Sequence, residues 1–139
     1  MAVYTSPVGV ATAAAANTLD VLVTLKENLC HRFNVNATNQ PTATTTYTAG
    51  TPVLNGTTVF VPITAQVTIT TPSGKCGCNP NVQVFTERFE AAFIGQTALP
   101  TAVTITNNGT IRTPYNVNTC GVASGYAISD SLTIALTTA

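Results

Sequence analysis

The side chains with the strongest chemistry in this sequence are four cysteines, Cys30, Cys76, Cys78 and Cys120, and a single histidine, His31. Thiolates and imidazole are zinc ligands, and His31 follows Cys30 directly. The spacing matches no common zinc motif, since paired Cys-x-x-Cys knuckles are absent, so no metal site is expected. Disulfides are the preferred reading, with Cys30 and Cys120 reaching the Cys76-Gly-Cys78 loop or one cysteine bonding a neighbouring subunit. Four cysteines permit three internal pairings, and sequence does not choose among them. Four reduced thiols are the alternative if the compartment is reducing.

Catalysis has little to draw on. A Ser-His-Asp or Cys-His arrangement needs His31, and in a strand Cys30 beside it points to the opposite face. Glu87 and Glu90 are candidates for paired-carboxylate chemistry, but odd and even positions of one strand also face opposite ways. Glu87 is expected to pair instead with Arg112 or Lys26. The acids number five and the bases Lys and Arg five, in 139 residues, against 28 threonines. A charged fraction of 7% is far below the usual quarter. The sequence therefore argues against an enzyme, with no catalytic residue and no cofactor expected. With no basic patch, a nucleic-acid partner has nothing to bind.

What must position these groups is a β framework. Hydrophobic residues make up 45% and net charge is zero, which excludes the composition of disordered chains. Val, Ile and Thr favour pleated, half-buried surfaces. Leu19, Val21, Val23 and Leu25 alternate over a strand ending near Lys26 and Glu27, and 30–37 reads as a short following strand. Residues 36–48, polar and Thr-rich, read as an exposed strand or loop. Val59 to Ile69 is the clearest strand, with Pro62 pointing to a sheet edge or a bulge. Asn55-Gly56 before it signals a type I′ hairpin.

The segment Val82 to Ile94 also reads as a strand, against a helical competitor with Phe85, Phe89 and Phe93 spaced by four. Val103 to Ile105 and Thr110 to Arg112 flank Asn108-Gly109, read as a second hairpin. Tyr126, Ile128, Leu132, Ile134 and Leu136 define a last strand, with Asp130 the odd member of its inward phase. The sequons at Asn36, Asn55 and Asn108 carry little weight in a chain so rich in Asn and Thr. Seven or eight short strands give an all-β fold, a jelly-roll-like two-sheet β-sandwich with an extended N-terminal arm. The arm covers residues 1–18 and the sandwich 19–139.

The N-terminus has no basic n-region and no secretory h-region, and no run is long enough for a transmembrane helix, so no membrane insertion is expected. The initiator Met favours a protein assembled without export. Strand edges here carry Thr where isolated sandwiches use charge. The neutral Thr faces at 42–48, 57–71 and 101–110 are the expected places for neighbouring subunits. Val3, Val8 and Val10 of the arm are candidate plugs for a neighbour's groove, as in donor-strand pairing; an arm folded back on its own domain is the alternative.

Several of these features together resemble the endospore-appendage and spore-surface fibre proteins of spore-forming bacteria. They are the connector-like Met1 to Thr18, the Thr/Val-rich strands at 57–71, the Lys75-Cys-Gly-Cys-Asn-Pro loop and the Val82 to Phe93 strand. The resemblance implies a small jelly-roll subunit made without a signal peptide, polymerised into fibres and located outside the cell or on the spore or cell surface. The family's connector typically carries cysteines, and residues 1–18 have none. Cross-links would come from Cys30, Cys76, Cys78 or Cys120, or be absent. The expected function is a structural subunit whose partners are copies of itself. The alternatives are a carbohydrate-binding or adhesive β-sandwich module, disfavoured by the absence of Trp and the presence of four Tyr, and a viral capsid or decoration protein.

Overall fold

The computed structural model describes residues 2–5, 11–14, 17–36, 38, 40–71 and 82–138, and of 2–5, 11–14, 30 and 31 the backbone alone. These residues form nine strands: β1 (Ala2–Thr5), β2 (Ala11–Ala14), β3 (Thr18–Asn34), β4 (Thr42–Ala49), β5 (Val53–Asn55), β6 (Thr58–Thr70), β7 (Val82–Ile94), β8 (Ala102–Val117) and β9 (Val122–Thr137). No helix of the described residues is long and apolar enough to cross a membrane. The fold is all-β, a two-sheet sandwich. One sheet has the order β1-β3-β9-β8 and the other β2-β7-β6-β4, with β5 also pairing β6. Across the sandwich β3 packs on β7 and β4 on β8.

Period-two patterning builds the core. Val59, Val61, Ile63, Ala65, Val67 and Ile69 of β6 are fully buried and meet Leu19, Val21, Val23 and Leu25 of β3 and Ile128, Leu132 and Ile134 of β9 in one cluster. Each such aliphatic side chain contributes about 1.5–3 kcal/mol. The Phe85/Phe89/Phe93 segment is a strand, because all of β7 registers with β6, from Thr58 opposite Ile94 to Thr70 opposite Val82. A helix of the same residues would forfeit that ladder. The two strands expected at 19–27 and 30–37 are one, β3, which runs through an irregularity between Asn28 and Phe33.

Three turn signals resolve differently from their sequence reading. The hairpin at Asn55-Gly56 exists, but its loop is Gly56-Thr57: Asn55 pairs with Thr58, Gly56 has φ 64°, and Asn55 is not at positive φ. That is the pattern of a type II′ turn, with Gly at the first central position, in place of type I′. Pro62 lies in a central strand, and its partner strand breaks there. β4 and β5 are two halves of one edge, interrupted at 50–52, where Gly50 N donates to Pro62 O at 2.7 Å. The missing N–H of Pro62 thus faces the break and orphans no acceptor. A Cβ at Gly50 would stand 2.8 Å from Pro62 Cγ, which explains the glycine.

Asn108-Gly109 is a bulge. β8 continues as a single strand, and its register slips between Asn107 opposite Leu132 and Gly109 opposite Ser131. The hairpin expected there does not form, because a type I′ turn needs positive φ at both central residues and neither Asn108 nor Gly109 has it. Asn107 Oδ1 instead accepts from Gly109 N at 3.1 Å, and Asn108 Nδ2 donates to Thr133 Oγ1 at 2.8 Å. Thr133 Oγ1 donates onward to Asp20 Oδ1 at 2.8 Å, tying the bulge across three strands.

Candidate functional site

Val103 and Ile105 face inward before the bulge; after it Thr110 and Pro114 are the half-buried members, with the exposed Arg112 in their phase reaching across to β4, while Ile111 is left 69% exposed. One inserted residue reverses the alternation. It sets Thr110 directly opposite Asp130. The Asp130 side chain is completely buried, and its carboxylate accepts from Thr110 Oγ1 (2.6 Å), Thr45 Oγ1 (2.7 Å) and Tyr47 OH (2.5 Å). Burial, with Asp130's bond and charge behind it, pushes the Tyr47 phenol far above its ordinary range. Arg112 donates from Nε and Nη2 to Ala43 O at 3.1 and 2.9 Å. The sheets are thus stitched along the β4/β8 side by a carboxylate that three hydroxyl donors satisfy, which is how a buried charge is tolerated. Closed to solvent and fully engaged, Asp130 fixes the edge strands and has no access to a substrate.

The opposite side of the sandwich holds a pair of acids with the reverse character. Glu27 lies in the inward phase of β3, 5% exposed, and Glu87 lies in the inward phase of β7, half-buried between Phe85 and Phe89. Glu87 Oε2 is buried without a hydrogen-bond partner. Burial first, and then the charge of Glu87, raise the Glu27 carboxyl from its ordinary 4.5 to about 7. The expected pairing of Glu87 with Arg112 is not found, because Arg112 is spent on Ala43 O. Lys26, on the outer phase of β3, is exposed. Glu90 is exposed on the outer face, so the two carboxylates at 87 and 90 do face opposite ways.

The same side carries the N-terminal segment. β1 pairs parallel with β3, Ala2 opposite Val21 to Thr5 opposite Thr24, and β2 pairs parallel with β7, Ala11 opposite Glu90 to Ala14 opposite Phe93. These are the only parallel pairings among the described residues. Val3 sits in β1 opposite Leu22; Val8 and Val10 lie outside the described residues. At the far side β8 and the β4/β5 line are the remaining edges. Their only charged residue, Arg112, is turned inward.

Of the cysteines, Cys30 and Cys120 belong to described elements, at one end of the sandwich. Asn34 of β3 pairs with Val122, and the β6/β7 ladder ends at Thr70 opposite Val82 beside Thr42. Cys120 lies in the turn between β8 and β9 at that end and is an exposed free thiol, its N–H donating to Asn118 Oδ1 at 2.9 Å. Cys30 falls in the irregular stretch of β3 with His31, where simple alternation of faces does not apply; their side chains lie outside the described ones. Cys76 and Cys78 lie outside the described residues. Among the described residues no three of His, Cys, Asp and Glu are grouped to hold a metal ion.

An open depression of about 270 Å³ on the outer face is lined by Thr51, Val53, Asn55, Phe60, Pro62 and Glu90. Neither it, the bulge nor the Glu27/Glu87 pair was picked out as a site from sequence. The one available signal was Glu27 and Glu87 interrupting apolar inward phases. No family model, curated protein or solved structure matches the chain.

Proposed function

We propose that this protein is a structural subunit, not an enzyme, that self-assembles into an extracellular or spore-surface filament or layer. Copies join by β-strand pairing and by exchange of the N-terminal arm, as the resemblance to spore-appendage subunits implies. The observation that carries the reading is the seating of the arm. One four-residue strand in parallel pairing is all that the described arm contributes to each sheet, so its docking depends on few main-chain bonds. A neighbour's arm makes the same bonds in the same slot, which is the logic of donor-strand complementation and domain swapping. The long β8 edge, uncharged on its outer face, offers a second place for strand pairing. Cys30, Cys76, Cys78 and Cys120 are the thiols from which any cross-link between copies is made.

A carbohydrate-binding or adhesive role has one observation in its favour, the depression floored by Phe60 and Pro62 with Glu90 and Asn55 at hand. Against it, Tyr47 is engaged with Asp130, Tyr126 is buried, and Tyr115 is bonded to Asn28, so none of these three is free to stack on a sugar. Electron microscopy of the purified chain, with and without reductant, separates the two. Fibres or layers are expected; dispersed particles that bind a glycan array would sink the assembly reading.

A further inference from the structure

We infer that copies of this chain dock face to face through one charged contact: Arg32, on the outer face of one sheet, enters the Phe60/Pro62/Glu90 depression on the outer face of the next copy's other sheet. The inference deepens the assembly reading and rests on it. Arm exchange and strand pairing join copies, and this contact decides which face of the neighbour is met.

Of the exposed charges in the described residues, two stand unpaired. Asp20 accepts from Thr133 Oγ1, Arg112 donates to Ala43 O, and Lys26 and Arg88 have contacts of their own. Arg32 and Glu90 are exposed, and among the described residues no hydrogen bond or ion pair takes up either. Arg32 precedes buried Phe33, which pairs with fully buried Ala123, and so it faces outward with Val122 and Ser124 from the β1-β3-β9-β8 sheet. There it lines a shallow hollow of about 160 Å³ with Asn116, Asn118 and Ser124. Asn118 Oδ1 already accepts from the Cys120 and Val122 N–H groups, so its Nδ2 is left as a donor. No acid among the described residues lines this hollow. A guanidinium set among amide and hydroxyl groups is suited to a carboxylate.

Glu90 is the complementary case. It lies between buried Phe89 and Ala91 and opposite Pro62, and so faces outward from the other sheet. Its depression of about 270 Å³ has no base lining it among the described residues, and half-buried Phe60 beside Pro62 gives it an apolar floor. An arginine can pair with a carboxylate and lay its planar guanidinium on an aromatic face in one pose. Gln96 Nε2 donates to Asn17 Oδ1 at 3.0 Å, which sets the end of β7 beside the start of β3. Arg32, two residues before the end of β3, is at the far end from there, whereas the Pro62–Glu90 pair is four residues from the near end at Thr58–Ile94. The two seats thus occupy opposite faces and opposite ends of the sandwich. A pair of rigid copies makes the contact once and not twice, leaving a free Glu90 on one copy and a free Arg32 on the other. Such a head-to-tail contact repeats from copy to copy.

The test is the critical concentration for assembly, measured by sedimentation of the full chain at low salt, where charge contacts are least screened. Arg32→Glu and Glu90→Arg each set like charges together and are each expected to raise it about tenfold. The double variant, with the two charges exchanged, is expected to return to the native value. So is an equimolar mixture of the two single variants, because residue 32 of each then meets an opposite charge at residue 90 of the other. Urea midpoints are expected to stay native throughout, since both side chains are exposed. The contact is overturned if the single variants assemble as the native chain does, if only one of them is weakened, or if neither the exchange nor the mixture restores assembly. Native fibres that neither substitution affects overturn the contact alone. A native chain that forms no assembly at any concentration overturns the assembly reading and the contact with it.

Discussion

Asp130 and Glu27 are both carboxylic acids inside one small core, and their neighbours set them apart. Three hydroxyls converge on Asp130, whereas Glu27 faces a second acid. Asp130→Asn replaces an acceptor of three bonds by a group that must itself donate, and leaves at least one hydroxyl misdirected. It is expected to lower unfolding free energy by about 2–4 kcal/mol, and Tyr47→Phe, which removes one donor, by about 1–2 kcal/mol, both read from urea midpoints. For Glu27 the sign follows from proton uptake. The folded carboxyl holds its proton to about pH 7 while the unfolded one releases it near 4.5. The folded state therefore binds more protons across that window, and stability falls as pH rises through it, then levels off. The fall amounts to at most about 3 kcal/mol. Denaturant unfolding at pH 4.5 and 8 is expected to show this loss in the native chain and to show it removed in Glu27→Gln.

Among the elements, β8 shows how one residue changes what a strand does. The bulge at Asn108 sends Thr110 and Arg112 inward and Ile111 outward. Deleting Asn108 restores plain alternation, buries Ile111 and turns away the donors to Asp130 and Ala43 O. The trade is expected to cost about 2–4 kcal/mol in an unfolding titration despite the apolar gain, and a more stable deletion variant would refute the role given to the bulge. The strands with strong period-two patterning, β6, β7 and β9, were legible from sequence because burial on one face leaves its mark on every second residue. Asn108-Gly109 was not, since Asn-Gly serves hairpin and bulge alike and the choice is made by the Thr133–Asp20 bonds from strands distant in sequence. For the same reason Glu27 and Glu87 read as isolated irregularities: only the stacking of β3 on β7 makes them a pair. β1 and β2 carry no period of their own and are strands because β3 and β7 offer edges.

At the scale of the whole molecule, a chain of zero net charge with 28 threonines has little self-repulsion to keep copies apart. The fold gives that neutrality a direction. Among the described residues the charges lie on the outer faces of β3 and β7 or reach into the sandwich, while the outer face of the long β8 edge stays bare. Assembly would then proceed from two sides, an arm that leaves its own β3/β7 slot for a neighbour's and an edge that accepts a strand. In the proposed assembly the arm is the step that makes the polymer, so removing it isolates the claim. The most direct measurement is the assembly rate, by sedimentation and microscopy, of the chain lacking residues 1–15 beside the intact chain. The truncated protein is expected to unfold cooperatively as a monomer and to form no fibres. Fibres appearing from it at the intact chain's rate would contradict the account.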